Sequence, residues 1–229
     1  MTKLFHPDNT AGMKSLPEGV QEDAQSQPVG CTAFAGNRRI ASGTIREVAL
    51  KAKKVLDQGE DAPLLIFDDK TSEVIEVDFR GTRGDVEKRI ARKSDAPMQP
   101  PERRGPGRPK LGVVGREVTL LPRHWDWLDE QPGGASVALR KLVESAKREN
   151  RERDRARQSQ EAAHRFMTTM AGDLPGFEEA SRAFYGGNQS RFDTLIKSWP
   201  PDIRAHVKKL VAVAGRDEDA ARQKETFKG

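Results

Sequence analysis

A proline-rich segment in the middle of the chain constrains the fold more than any other feature. Residues 93–114 contain five prolines, Pro97, Pro100, Pro101, Pro106 and Pro109. Because proline lacks a backbone N–H and clashes with a preceding helical turn, such a run excludes a helix interior and a central strand. The sequence therefore predicts a linker between two folding parts. With 35% hydrophobic and 33% charged residues, each part can form only a small core.

The part before the linker, residues 31–92, has the pattern of a small α+β domain. Gly36-Asn37 suits a tight hairpin between two short strands, and Thr44 with Glu47 forms a capping box that begins an amphipathic helix. The predicted strands are 32–34, 39–41, 64–67 and 74–79, and the predicted helices are 45–56 and 82–90. The order ββαββα is compatible with a β-grasp-like sheet.

The segment after the linker, residues 115–147, reads as strand, helix, turn and helix. The predicted strand is Arg116–Leu121, and Pro122 suits the first turn of the next helix. A Pro-Gly-Gly turn follows, and Ser136 can cap a helix whose apolar side chains recur at helical spacing at Leu139, Leu142, Val143 and Ala146. Trp125 and Trp127 cannot share a helix face, so we expect one of them in a core.

The remaining segments are predicted from periodicity and polarity. Residues 148–165 form a charged helix, and residues 166–214 form a helical unit with apolar stripes that bury each other or a partner. The ends, 1–30 and 215–229, are predicted to be disordered. The whole chain is therefore expected to be α+β.

Positive charge is concentrated around and after the linker. Between Leu139 and Arg157 there are eight basic and four acidic residues. Such a field can attract a polyanion and release its counterions, although a solvated charged helix explains the run Arg151–Arg157 equally well.

Several function classes find no support in the sequence. Cys31 is the single cysteine, so neither an intramolecular disulfide nor a cysteine-based metal site is expected, and the four histidines lack metal-ligand spacing. No cluster of neighbouring residues suits catalysis, so we expect a protein that is not an enzyme and needs no cofactor. Without a signal peptide or an apolar span, we expect a cytoplasmic protein without membrane contact.

The basic tail of the linker, Arg103-Arg104-Gly105-Pro106-Gly107-Arg108-Pro109-Lys110, resembles the AT-hook. This resemblance implies that Arg108 enters the minor groove of A·T-rich DNA, with Arg104 and Lys110 beside it. The half that contains Arg108 matches the hook, whereas Gly105-Pro106 stand where the other half has an arginine directly before glycine. A plain basic linker is the alternative.

Residues 116–147 resemble ribbon-helix-helix repressors in the order of their elements. The resemblance implies a homodimer whose paired strands enter the major groove and whose second helix begins at a phosphate. It makes Ser136 and Val137 phosphate contacts. In one strand register Arg116 faces the bases, and in the other Thr119 does so beside Glu117. Three possibilities stay open: weak sequence specificity, a dimerisation ribbon without DNA, and a helix-turn-helix whose groove helix, Ser136–Lys147, presents Arg140, Lys141 and Lys147.

The chain as a whole is similar to a bacterial family of unknown function, DUF2239, over about residues 31–210. The similarity rests on the runs Gly107-Arg108-Pro109-Lys110-Leu111-Gly112-Val113 and Val118-Thr119-Leu120-Leu121-Pro122-Arg123-His124-Trp125. It implies a bacterial cytoplasmic protein and brings no activity with it.

Together these features predict a DNA-associated regulator or nucleoid-associated binder, expected to be dimeric. The expected DNA contacts are Arg104, Arg108, Lys110, Arg116, Thr119, Ser136, Arg140 and Lys141. The alternative is an adaptor, or an antitoxin-like protein, that holds a protein partner through residues 31–92 or 166–214.

Overall fold

The first strand of the sheet is central and buried along its whole length. The computed structural model describes residues 30–95 and 114–226, with the last three residues of the first range as backbone only. Strands β1 (Cys31–Ala35), β2 (Arg38–Gly43) and β3 (Leu64–Asp68) form an antiparallel sheet in the order β2-β1-β3. The predicted hairpin at Gly36-Asn37 is confirmed, with Gly36 at a φ of 50°.

Two helices follow the strands in the N-terminal part: the first packs on the sheet, and the second packs on the first helix. Helix α1 (Ile45–Asp57) begins at the predicted capping box, in which the Thr44 hydroxyl accepts from the Glu47 N–H at 3.4 Å. The Glu47 carboxylate accepts from the Thr44 N–H at 3.1 Å. Helix α2 (Arg83–Asp95) extends five residues past the predicted end and buries Val86 and Ile90.

The predicted fourth strand, 74–79, does not form. Val74 makes a single antiparallel bridge to Phe67, and the Ile75 N–H donates to the Ile66 carbonyl at 2.7 Å. Val77 and Phe79 then pack on the cores beneath α1 and α2 instead of continuing along β3. The expected β-grasp-like sheet required four strands, whereas the sheet in the described part of the chain has three.

The C-terminal part is a helical body built on two long helices. Helix α3 (Pro122–Asp129) precedes α4 (Gly134–Ala171), α5 (Phe177–Tyr185), α6 (Gln189–Leu195), a 3₁₀ turn (Ile196–Ser198) and α7 (Pro201–Thr226). One continuous helix, α4, crosses the expected boundaries at 147/148 and 165/166. Helix α7 extends past residue 214, so residues 215–226 are helical and the prediction of disorder there is wrong.

The sheet and the helical body share one hydrophobic core. Phe34 of β1 and Phe67 of β3 contact Phe166 of α4, with ring centroids 5.4 Å and 4.9 Å from it. His206 of α7 lies against Phe34 and Phe166. The α+β class is confirmed, but the two parts that the linker divides in sequence pack together in space.

Candidate nucleic-acid interface

The predicted strand-helix-helix segment is a projecting hairpin, defined here as residues 114–147. Helix α3 begins at Pro122, and it packs on α4 through the buried side chains Leu128 and Ala138. Gly133 and Gly134 connect the helices with φ values of 91° and 73°, a conformation that favours glycine. The predicted order of helix, glycine turn and longer helix is therefore confirmed.

Helix α4 carries this hairpin away from the helical body. The Lys224 ammonium near the end of α7 donates to the Arg148 carbonyl at 3.1 Å, and Arg153 pairs with Glu225 at 2.7 Å. Since α7 runs antiparallel to α4 and its described part ends at Thr226, residues 134–147 extend beyond it. With about 1.5 Å of rise per residue, that extension is about 20 Å long.

Apolar side chains are exposed mainly on the projecting hairpin. Among the described residues nine large hydrophobic side chains are exposed, and seven of them belong to the hairpin: Val114, Val118, Leu121, Trp125, Trp127, Leu142 and Val143. Both tryptophans are exposed, so the expectation that one lies in a core is wrong. A two-helix hairpin has one small interior, which Leu128 and Ala138 occupy.

The sequence did not identify these side chains as one surface. Leu142 and Val143 belong to the apolar residues that recur at helical spacing, and they are 48% and 61% exposed. The signal that could have revealed the surface is the number of large apolar residues from Val114 to Val143, which exceeds what two short helices can bury.

The predicted strand Arg116–Leu121 is extended but unpaired. A strand requires a hydrogen-bonding neighbour, and none of the elements at 30–95 or 114–226 supplies one. Arg116 and Thr119, which belong to opposite strand faces, are both exposed. The strand prediction is wrong for the single chain, and both registers of the segment stay open.

Ser136 is not the N-cap of the second helix. The cap is Gly133, and Ser136 lies exposed in the first turn of α4. Its carbonyl accepts from the Arg140 guanidinium at 3.0 Å, which holds the Arg140 side chain at the start of the helix. Lys141 is exposed next to it. Three expected contact residues thus come together at one end of α4.

The other expected contact residues lie elsewhere in the chain. Arg104, Arg108 and Lys110 fall at 96–113, outside the described residues. This segment has four basic residues against one acidic residue, whereas the hairpin has five of each. The net positive charge next to the hairpin therefore comes from the linker.

The basic run Arg151–Arg157 is largely paired within the chain. Arg155 contacts the buried Asp217 carboxylate at 2.8 Å, and Arg157 contacts Asp154 at 3.2 Å. The Arg153–Glu225 and Arg155–Asp217 pairs join α4 to α7, the Arg157–Asp154 pair lies within α4, and together the three pairs neutralise most of the run. The structure therefore supports the interpretation of this run as a charged helix face.

Other candidate chemistry is limited in the described part of the chain. Burial, with a smaller contribution from Asp69, raises the pKa of the Cys31 thiol to about 11, so this thiol is protonated at neutral pH. No group of three or more His, Cys, Asp or Glu side chains there could hold a metal ion. None of the helices at 30–95 and 114–226 combines the length and apolarity that spanning a bilayer requires.

Comparison with known proteins identifies a family. Neither a curated protein nor a solved structure matches the chain. A family model matches residues 30–211, a range that includes the sheet, the linker, the projecting hairpin and most of the helical body. The chain therefore belongs to the family described as "Uncharacterized protein conserved in bacteria (DUF2239)".

Proposed function

We propose that this protein is a cytoplasmic, non-catalytic DNA-associated regulator that acts as a homodimer. The observation that carries the proposal is the concentration of exposed apolar side chains on a hairpin that directly follows a basic linker. An exposed apolar surface of this kind is typical of an interaction site. A nearby cationic segment adds affinity for a polyanion.

A second copy of the chain is the partner that suits the hairpin. Homodimer interfaces are usually isologous, so the contacting patch must complement itself. The hairpin has balanced charge, with Asp126, Asp129 and Glu130 on or next to α3 and Arg140 and Lys141 on α4. Two copies of Arg116–Leu121 can supply each other with the strand neighbour that a single chain lacks.

DNA contacts follow from this arrangement in two groups. Arg104, Arg108 and Lys110 of the linker contact the phosphate backbone or an A·T-rich minor groove. In the hairpin, Arg116 or Thr119 faces the major groove from the ribbon. The first turn of α4, with Ser136, Arg140 and Lys141, contacts phosphate through N–H groups and positive charge.

Sedimentation velocity and a gel-shift titration on the full chain test the proposal together. We expect a dimer without DNA, and duplex affinity that falls steeply between about 50 and 200 mM salt. A chain that stays monomeric at about 100 µM, or that binds no duplex near physiological ionic strength, would contradict the proposal.

The second candidate function is a protein adaptor. The exposed apolar side chains of the hairpin favour it, since they suit a protein partner whether or not DNA is present. Deleting residues 100–115 separates the two functions in a pull-down experiment. An adaptor keeps its protein partners after this deletion, whereas a DNA-binding protein loses most of its affinity for duplex.

A further inference from the structure

An apolar stripe on α4 maps onto itself when the helix is turned end for end. The stripe consists of Leu139, Leu142, Val143 and Ala146, which share one face of the helix. Leu142, Val143 and Ala146 are exposed in the single chain. Reversing the helix exchanges Leu139 with Ala146 and Leu142 with Val143. An antiparallel second copy of α4 therefore places a large side chain opposite a small one at both ends of the stripe, as close packing requires.

The apolar stripe lies on the part of α4 that extends beyond α7. The described part of α7 ends beside Arg148, so the stripe falls within the extension 134–147. Helix α3 packs on one flank of the stripe through Ala138, which is buried together with Leu128. Over the stripe, which is about 10 Å long, two copies of α4 can run side by side before their helical bodies meet.

The other flank of the apolar stripe is basic. At about 100° per residue, Arg140 and Lys147 both lie roughly a quarter turn from the centre of the stripe, on the side away from Ala138. Ser136 lies on the same flank, and its carbonyl accepts from the Arg140 guanidinium at 3.0 Å. Within the described part of the chain, neither Arg140 nor Lys147 pairs with a carboxylate. Glu144 lies on the helix face opposite the stripe, so it does not neutralise this flank.

An antiparallel pair of α4 helices brings the basic flanks of the two copies to the same side. A two-fold axis perpendicular to both helices leaves each flank on its own side of the pair. The register that superimposes the stripe places Arg140 of one copy within about one turn of Lys147 of the other. Like charges that face each other destabilise an interface, and a phosphate between them removes the repulsion.

We propose that duplex DNA and dimer formation are coupled through this basic flank, with the phosphate backbone between Arg140 of one copy and Lys147 of the other. The inference rests on the proposed homodimer and its DNA binding, and it adds how each affects the other. Because a coupling free energy acts in both directions, DNA tightens the dimer and the dimer tightens DNA binding. Without DNA, the facing cations weaken the dimer.

Charge reversal at residue 147 tests the coupling in the full chain. Lys147→Glu places a carboxylate opposite Arg140 of the other copy. We therefore expect the dissociation constant of the DNA-free dimer to fall about ten-fold in sedimentation velocity. The same variant should bind a duplex of about 20 base pairs about ten-fold more weakly, because each copy loses a phosphate contact. Arg148→Glu is the matched control, since it makes the same charge change on the opposite face of α4 and should leave the DNA-free dimer unchanged.

Disulfide cross-linking tests the antiparallel register. Cys31 is fully buried, so the natural chain gives a low background. Under mild oxidation, a chain with both Leu139→Cys and Ala146→Cys should form a covalent dimer, because these positions face each other across the pair. Either substitution alone should not, since its two copies lie about 10 Å apart along the helices.

The outcomes separate this inference from the proposed function, once melting temperatures show that each variant is folded. A natural chain that stays monomeric or binds no duplex contradicts both. If the natural chain dimerises and binds DNA, a Lys147→Glu dimer that is unchanged or weaker overturns the coupling alone. Single cysteine variants that cross-link as well as the double variant overturn the antiparallel pairing.

Discussion

The imidazole of His206 lies against the ring of Phe166, with the two centroids 4.4 Å apart. His206 is 2% exposed and also contacts Phe34 of the sheet, so it sits where the N-terminal sheet meets the helical body. Its Nε2 atom has no hydrogen-bond partner in the described part of the chain. A histidine in this position is stable only while it is neutral.

Protonation of His206 should therefore make the fold sensitive to acid. Burial, with smaller contributions from Lys209 and Arg39 and against an opposing one from Asp69, lowers the pKa of His206 from 6.5 to about 4. As the pH falls below 6.5, the unfolded chain takes up this proton first, so the free energy of unfolding decreases until about pH 4. The full loss is about 3 kcal/mol.

Chemical denaturation of His206→Leu between pH 7 and pH 4 measures this contribution. We expect the variant to lose less stability than the natural chain over that interval. His124→Gln, at an exposed position of α3, should keep the full loss. Equal losses in the natural chain and in His206→Leu would contradict the assignment.

The shared core should make the sheet and the helical body unfold together. Phe34→Ala removes a fully buried ring that contacts Phe67, Phe166 and His206, so we expect a loss of about 3 to 5 kcal/mol. Thermal unfolding followed by near-UV and far-UV circular dichroism should show one transition. Val74→Ala, at a 46% exposed position, should change stability by about 0.5 kcal/mol or less. Two separate transitions would show that the parts fold independently.

A charge on the hairpin should prevent dimer formation. Val143 is 61% exposed in the single chain, and a glutamate at this position would bury an unpaired carboxylate in the proposed interface. We expect Val143→Glu to be monomeric in sedimentation velocity at concentrations where the natural chain is dimeric. Gln158→Glu adds the same charge at an exposed position farther along α4 and should leave the dimer intact. A dimeric Val143→Glu variant would place the interface elsewhere.

Arg140 and Arg157 should differ in their effect on DNA affinity. Among the residues that the structure describes, Arg140 makes a hydrogen bond only to the Ser136 carbonyl of its own helix, whereas Arg157 is paired with Asp154. We expect Arg140→Ala to weaken binding to all duplexes alike and to reduce the salt dependence by about one phosphate contact. Arg157→Ala is the matched control and should change neither quantity. Equal effects of the two substitutions would argue against a specific role for the start of α4.

The linker should contribute a preference for A·T-rich sequence. An arginine in a narrow minor groove gains from the enhanced negative potential there, so Arg108→Ala should weaken A·T-rich duplex more than G·C-rich duplex. Competition gel shifts with the two duplexes measure this difference. Arg103→Ala removes the same charge at a linker position outside the matched half of the hook and should affect both duplexes alike. An equal loss of affinity for both duplexes in Arg108→Ala would show that the linker contacts DNA without a preference for A·T-rich sequence.

Local interactions made the starts of α1 and α3 and the glycine turns predictable from sequence. The Thr44–Glu47 capping box and the turns at Gly36 and at Gly133-Gly134 involve residues a few positions apart, and each lies where the pattern indicates. Pro122 likewise begins α3. The charge and composition of the projecting hairpin and of the linker can also be determined without coordinates. These two segments contain the proposed contact residues.

Contacts between residues that are distant in sequence decided the other features of the fold. Val77 and Phe79 have the alternation of a strand, yet they pack on α1 and α2, and no local signal distinguishes these outcomes. The α4–α7 pairing neutralises Arg153 and Arg155, although their sequence neighbourhood is basic. The periodicity of a sequence indicates which side chains can be buried. Whether they are buried depends on whether another element of the fold packs on them. That is why the sequence by itself determined the starts of α1 and α3, the glycine turns and the positive charge of residues 96–113. Only the tertiary structure decided that the sheet joins the helical body and that no element of the described part covers the projecting hairpin.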